Sequence, residues 1–239
     1  MKKGAALSHT LRRYGFNGRD FDSGTGANTY QLHLKNWTGL LLDGANDNPS
    51  INLHKTWIDA ATIAATLETR GVPRELDFLS NDIDSADLWV LKAVFEGGFR
   101  PRVVLAEYNC NYPLEATLTN HPSVPWKGPI YGASLRSFWQ LADEFGYVII
   151  DVIAHDVLLL RRDLLRGSDF PSLEHWRPHT RLRMHTGEFV LDRERVATQL
   201  VDYNMWKATG GNMTAAQGQA VLDQVDLMQI FLKYDGVGD

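Results

Sequence analysis

The sequence predicts an α/β fold with a mostly parallel, twisted sheet and helices on both of its faces. Short apolar runs that end in acids or turn residues alternate with helical segments between about residue 40 and residue 145. Such alternation is typical of strand–helix–strand units, which build parallel sheets. Two further apolar runs, at 147–153 and 157–161, follow each other closely and predict a terminal hairpin.

The earlier elements follow from local patterns. A first strand is expected near 14–21, and a short helix over 30–37 has apolar residues, Leu34 among them, spaced to bury one face. The apolar run 40–42 predicts a buried strand that ends in Asp43. The later expected elements are an extended segment at 51–58, helices at 60–70, 86–96 and 134–145, and strands at 76–79 and 102–107.

The pattern changes after about residue 163. Prolines interrupt a segment rich in arginine and histidine, and Gly210-Gly211 divides the helical tail into two pieces. We therefore expect a domain at residues 1–165 and a C-terminal helical appendage at 166–239, which packs on that domain or on a partner.

The composition excludes several classes of protein. A formal net charge of -5 argues against a broadly nucleic-acid-binding surface. The single cysteine, Cys110, excludes an intramolecular disulfide and a zinc site built from cysteines. The longest apolar runs, such as 157–160, are far shorter than the roughly 20 residues of a membrane-spanning helix. We expect a soluble intracellular protein that does not bind a membrane.

The first 19 residues carry five basic residues and no acid. A solvated basic terminus is the favoured interpretation, and an organellar transit peptide is the alternative. The cytoplasm is therefore the expected compartment, with a mitochondrial or other organellar location as the alternative.

A glycine pair, Gly24 and Gly26, is followed by Asp43 at the end of the next apolar run. Glycines let the backbone approach a ligand closely, and a carboxylate at that strand end accepts hydrogen bonds from a ribose. A dinucleotide-binding turn needs a third glycine where Thr29 stands. This departure disfavours NAD and FAD and favours a ligand with one nucleoside, such as S-adenosylmethionine.

Two more acids follow predicted strands. Asp82 and Glu107 stand at carboxyl ends of parallel strands, where open sheets place ligands. A carboxylate there can take a proton from a hydroxyl acceptor, so both are candidate catalytic residues. Alternatives stay open. Asp84 joins Asp82 as a ligand for Mg²⁺ or caps the following helix, and Glu107 forms a buried salt bridge with Arg100 or Arg102.

The loop from 109 to 130 is rich in proline, asparagine and aromatic residues. Amphipathic rings and amides suit a polar aromatic or sugar-like substrate. Tyr108, Asn109 and Tyr131 are the candidate substrate-binding residues. The alternative is that the rings fix the loop to the domain.

Nine segments carry a resemblance to a known family. They are Phe21 to Thr29, Trp37 to Gly44, Asn52 to His54, Gly71 to Pro73, Asp77 to Ser85, Arg100 to Asn109, Tyr131 to Leu135, Gly146-Tyr147 and Arg161 to Leu164. Their order and spacing resemble the FkbM-type branch of class I S-adenosylmethionine-dependent methyltransferases, over roughly residues 14–165. The resemblance implies a Rossmann-like fold.

The same resemblance implies methyl transfer to a small-molecule oxygen or similar heteroatom. It implies that Gly24 and Gly26 line the methionine end of S-adenosylmethionine, that Asp43 binds the ribose and that Asp82 lies beside the reacting methyl group. The full set of implied cofactor-binding residues is Asp22, Gly24, Gly26, Asn28, Asp43 and Asp82. No metal ligand is assigned. The alternative is a catalytically inactive methyltransferase-like fold that serves as a binding or scaffold subunit of a larger assembly.

The segment 161–185 is rich in arginine and histidine. Its spacing matches no zinc motif, and Pro178 interrupts helical pairing of the histidines. A solvated loop is the favoured interpretation, and a surface for a protein or RNA partner is the alternative.

Overall fold

A computed structural model describes residues 3–8, 29–83, 86–123, 132–167, 169–181, 199–212 and 218–224. Its nine strands are β1 (Lys3–Ser8), β2 (Thr38–Asp43), β3 (Leu53–Lys55), β4 (Phe78–Asp82), β5 (Val103–Glu107), β6 (Leu118–Asn120), β7 (Tyr147–Ile153), β8 (Asp156–Arg161) and β9 (Leu200–Asp202). Its α-helices are α1 (Tyr30–Leu34), α2 (Ile63–Thr69), α3 (Asp87–Glu96), α4 (Leu135–Phe145) and α5 (Tyr203–Thr209), with a further helical segment at 218–224. Short 3₁₀ turns lie at Pro49–Ile51, Arg162–Leu164 and Leu173–Arg181.

Seven strands form one mixed sheet in the order β3-β2-β1-β4-β5-β8-β7. The first five are parallel, and β8 is antiparallel to both β5 and β7. The predicted α/β class and the terminal hairpin are confirmed. β2 and β3 lie on one side of β1, and β4 and β5 lie on the other. The strand order therefore reverses at β1.

The position of the first strand was predicted wrongly. The strand between β2 and β4 is Lys3–Ser8 and not the segment near 14–21, which lies outside the described residues. The two lysines at the start favoured a solvated terminus. The run Gly4 to Leu7 is apolar, but its first three residues are small, so its hydrophobic signal is weak. Residues 3–8 form a strand, the rest of the basic segment 1–19 lies outside the described residues, and the compartment stays a prediction.

Side chains on one face of the sheet are buried under helices. Leu40, Leu79 and Val104 are buried and lie at one level across the sheet. They form one cluster with the apolar residues of α2, α3 and α4, so we call this the helix-covered face. Leu41 and Leu105, which alternate with them, are only half-buried and belong to the opposite face. Helices on that opposite face stay a prediction.

The longer helices lie within one to three residues of their predicted bounds at each end. α4 begins after Ser134, whose Oγ accepts a hydrogen bond from the Ser137 amide at 3.2 Å. It ends at Gly146, whose φ of 76° suits a left-handed cap. The predicted apolar face of α1 is wrong, because none of its residues is buried and Leu34 is exposed.

Gly97, at the end of α3, provides a test of how α3 packs on α2. A Cβ atom at this position would lie 2.5 Å from the Ala64 Cβ of α2. We expect Gly97→Ala to lower the free energy of unfolding by about 1–3 kcal/mol, because the two helices must move apart. Denaturant unfolding measures the change. Gly218→Ala is the control, since nothing lies within 4 Å of its Cβ position, and an unchanged Gly97→Ala variant would contradict this packing.

The described residues 199–212 pack on elements that precede residue 165. β9 pairs with β6 in a separate two-stranded antiparallel sheet. The rings of Tyr203 and Trp206 each lie 5.6 Å from that of Trp89 on α3. The domain boundary at residue 165 stays a prediction. Within the described ranges, no helix has both the length and the apolar character needed to cross a membrane.

Candidate functional site at the carboxyl edge of the sheet

Asp43 and Asp82, two of the predicted site residues, lie on opposite sides of β1. Ser8 is the register partner of Asp43 on β2 and of Asp82 on β4. Register partners project from the same face of a sheet, and neighbouring strands lie about 4.8 Å apart. Asp43 and Asp82 therefore stand about 10 Å apart at the carboxyl edge, on the same face, one on each side of the strand where the order reverses.

The row of acids continues along this edge. Asn81 pairs with Ala106, so Glu107 on β5 follows as the neighbour of Asp82. Glu107 in turn is the register partner of Asp156 on β8. We call Asp43, Asp82, Glu107 and Asp156 the carboxylate row. Its members share the face opposite the helix-covered one.

Asp43 is the most constrained member of the row. Its side chain is 2% exposed. Oδ1 accepts hydrogen bonds from the amides of Ala45 and Asn46, both at 2.7 Å, and from the Asn46 side chain at 2.8 Å. Oδ2 is buried and has no hydrogen-bond partner among the described residues. A buried carboxylate oxygen without a donor is costly, so the fold holds Asp43 in an orientation that only a further donor would satisfy.

Asp156 is the member that sequence reasoning missed. Burial raises the pKa of its carboxyl to about 6, and its buried Oδ1 has no hydrogen-bond partner within the described part of the chain. The sequence pattern points to acids at the last residues of parallel strands, whereas Asp156 is the first residue of an antiparallel strand. In a mixed sheet that first residue reaches the same edge. The predicted hairpin would have indicated this position if its second strand had been placed antiparallel to β5.

The pH dependence of the free energy of unfolding should reveal the raised pKa of the buried Asp156 carboxyl. Its folded pKa of about 6 lies above the unfolded value of about 3.9, so the folded state loses stability as pH rises through that interval. We expect the Asp156→Asn variant to need about 3 kcal/mol more free energy to unfold than the wild type at pH 7.5, with little difference near pH 4. Denaturant titrations at the two pH values measure this.

The matched control for that experiment is Asp151→Asn. Asp151 is an exposed aspartate on the neighbouring strand β7. The substitution should leave stability nearly unchanged at both pH values. An equal gain for Asp156→Asn at pH 4 and pH 7.5 would show that the carboxyl does not titrate in this interval.

Asn81 lies beside the row but points to the helix-covered face. Its Nδ2 donates to the Asp87 carbonyl at 2.9 Å, and its buried Oδ1 accepts no hydrogen bond from any residue that the structure describes. Asp87, on the first turn of α3, accepts from the Ile83 amide at 2.8 Å. These bonds fix the end of β4 to the start of α3 and so hold Asp82 in place. Asp84, the predicted cap or metal ligand, lies outside the described residues.

The candidate substrate-binding residues after β5 are buried. The Tyr108 hydroxyl donates to the carbonyls of Ala154, at 3.2 Å, and His179, at 3.1 Å. The Asn109 Oδ1 accepts from the amide and side chain of Asn111. These contacts fix the chain at the edge of the site, which favours the alternative that the rings anchor the loop. Their role in binding a substrate stays a prediction.

Several predicted site residues lie outside the described residues. They are Asp22, Gly24, Gly26, Asn28 and Tyr131. Among the residues that are described, no group of three or more histidines, cysteines, aspartates or glutamates could hold a metal ion. Arg102, one predicted partner of Glu107, pairs with Asp77 at 3.1 Å.

Two other features lie apart from the row. An open cavity of about 470 Å³ between α3, α4 and α5 is lined by Trp89, Trp206 and two lysines, which pair with Glu96 and Glu144. In the basic segment, Arg161 pairs with Glu75 and Asp163, Arg162 with Asp143, and Arg177 with Glu115 and Glu174. These ion pairs neutralise Arg161, Arg162 and Arg177 of the predicted partner surface.

No protein-family model matches the chain, and no curated protein matches it.

Proposed function

We propose that this protein binds S-adenosylmethionine and is a class I methyltransferase that acts on a small-molecule oxygen or similar heteroatom. The observation that carries the proposal is the buried Asp43 Oδ2, to which no described residue donates a hydrogen bond. A ribose hydroxyl is a donor that would satisfy it, and a carboxylate at the end of the second strand is where nucleoside-binding sheets place that contact.

The strand order supports the same proposal. The parallel strands lie in the order β3-β2-β1-β4-β5, which is the order of doubly wound sheets that bind nucleotides. Open sheets bind ligands at the carboxyl edge where the strand order reverses. In this sheet the reversal lies at β1, between Asp43 and Asp82. A Rossmann-like arrangement is therefore part of the proposal.

The members of the carboxylate row lie at successive distances along the ligand in this function. S-adenosylmethionine supplies a methyl group on a positively charged sulfonium. Asp43 accepts from the ribose, Asp82 lies at the next strand end beyond β1, and Glu107 with Asp156 lies beyond Asp82. A carboxylate beyond β1, at the strand ends of Asp82 or Glu107, takes the proton from a hydroxyl acceptor. The acid-rich edge also favours a cationic ligand, because opposite charges attract strongly where water is excluded.

Calorimetric titration with S-adenosylmethionine tests the proposal. We expect saturable binding, together with a rise in melting temperature that grows with ligand concentration. NAD should give no such rise, because Thr29 replaces the third glycine of a dinucleotide turn. A folded protein that does not bind S-adenosylmethionine at high micromolar concentration would refute the proposal.

One observation favours the alternative, a methyltransferase-like fold without activity. β1 ends at Ser8, and Gly24 stands 16 residues later in the sequence. A cofactor turn normally follows its strand directly. Under the alternative, the protein serves as a binding or scaffold subunit of a larger assembly. The titration separates the two, since only the first requires the ligand to bind.

A further inference from the structure

One aromatic side chain lies in solvent close to Asp43. Trp57 is 69% exposed, more than any other large apolar residue that the structure describes. A single exposed apolar side chain is ordinary on a protein surface, so exposure alone indicates no function. The position of the Trp57 ring relative to the Asp43 carboxylate is what connects it to the site.

Trp57 follows β3 at the carboxyl edge of the sheet. Lys55, the last residue of β3, is the register partner of Asp43. The pairing continues one residue further, because the Thr56 amide donates to the Asp43 carbonyl at 2.8 Å. Side chains alternate between the two faces along an extended chain, so Trp57 projects from the same face as Asp43. At about 3.3 Å per residue and about 4.8 Å between strands, the Cα atoms of Asp43 and Trp57 lie about 8 Å apart.

The backbone is fixed on both sides of Trp57. Thr56 is held by its bond to the Asp43 carbonyl. Ile58 is 2% exposed and belongs to the apolar cluster of the helix-covered face. Trp57, between them, therefore faces away from that cluster. A ring on a backbone that is already ordered loses little further freedom when a ligand stacks on it, and such preorganisation favours binding.

An independent observation points to a ligand beside this ring. Asp43 is 2% exposed, and no described residue donates a hydrogen bond to its buried Oδ2. In the proposed function a ribose hydroxyl supplies that donor, and the sulfonium lies toward Asp82, beyond β1. The base and the sulfonium arm are attached to opposite ends of the ribose. The base therefore extends from Asp43 in the other direction, toward the end of β3 and Trp57.

We infer that the adenine ring of the bound ligand stacks on the indole of Trp57. The inference rests on the proposed function. An exposed indole offers a flat face to the base, and removal of such a ring weakens binding by about 5- to 150-fold. Trp57 and Asp43 then bind the two halves of one adenosine group: the indole binds the base, and the carboxylate binds the ribose.

Calorimetric titration of three variants with S-adenosylmethionine tests this contact. Trp57→Ala should bind about 5- to 150-fold more weakly than the wild type, whereas Trp57→Phe keeps a ring and should lose much less affinity. The control is Trp139→Ala, which removes a tryptophan that is 36% exposed. Trp139 lies on α4, which packs on β7 at the far end of the sheet from β3, so this variant should bind like the wild type.

Tryptophan fluorescence provides a second readout, because a base stacked on an indole quenches its emission. S-adenosylmethionine should quench the wild type and should not quench Trp57→Phe, in which calorimetry still detects binding. Circular dichroism establishes that each variant is folded. Wild-type affinity in Trp57→Ala, equal losses of affinity in Trp57→Ala and Trp57→Phe, or quenching that persists in Trp57→Phe would overturn this inference alone. Failure of the wild type to bind S-adenosylmethionine would refute the proposed function, and this inference with it.

Discussion

Asp43→Asn is expected to weaken S-adenosylmethionine binding by about 10- to 100-fold. A hydrogen bond to a charged acceptor is worth about 1.5–3 kcal/mol, and each 1.4 kcal/mol is a factor of ten in affinity. The amide removes the charge and can place a donor where the buried Oδ2 now lies. Oδ1, with its three bonds to Ala45 and Asn46, can be retained by the amide oxygen, so the loop should keep its conformation.

The matched control is Asp47→Asn, four residues along the same loop. Asp47 is exposed, and its Oδ1 accepts from the Lys55 amide at 3.0 Å. That bond is available to an amide oxygen as well, so affinity should stay within a factor of two or so of the wild type. Wild-type affinity in a folded Asp43→Asn protein would remove the ribose contact from the proposal.

Trp89→Ala is expected to give the largest loss of stability, about 3–5 kcal/mol in the free energy of unfolding. Trp89 is 6% exposed and contacts the rings of Tyr203 and Trp206. Its indole Nε1 donates to the Asn120 carbonyl at 2.6 Å. One side chain thus joins α3 to β6 and to α5. Denaturant unfolding at pH 7.5 measures the change.

Two further variants separate the contributions of Trp89. Trp89→Phe keeps an aromatic ring but leaves the buried Asn120 carbonyl without its donor, which costs about 1–3 kcal/mol. Trp139→Ala, on α4, removes a tryptophan that is 36% exposed and should cost much less. If Trp89→Ala and Trp139→Ala cost the same, the packing of α5 on α3 would not contribute to stability.

Local patterns predicted the elements that have strong periodicity or clear ends. α3 and α4 have buried residues at helical spacing and end at glycines, and β4 and β5 end in acids. β1 was missed because a central strand can be built from glycine and alanine, which give little hydrophobic signal. The pairing of β6 with β9 joins residues about 80 apart, and no local pattern encodes such a contact.

The candidate site divides in the same way. Asp43, Asp82 and Glu107 could be grouped from the sequence, because carboxyl ends of parallel strands meet at one edge. Asp156 could not, since its place depends on which strand β8 joins and in which direction. The unsatisfied oxygen of Asp43 is also beyond sequence reasoning. It results from three donors of the following turn that all bond the other oxygen.

The place of β1 in the sheet has a consequence for how the chain is made. Lys3 pairs with Thr38, and Gly4 pairs with Phe78, 74 residues later. At about 5–20 residues per second, a ribosome needs about 4–15 s to add that length. During this interval at least one edge of β1 carries unpaired backbone groups. The nascent chain should therefore be most exposed to chaperones and to misassociation before Asp82 has left the ribosome.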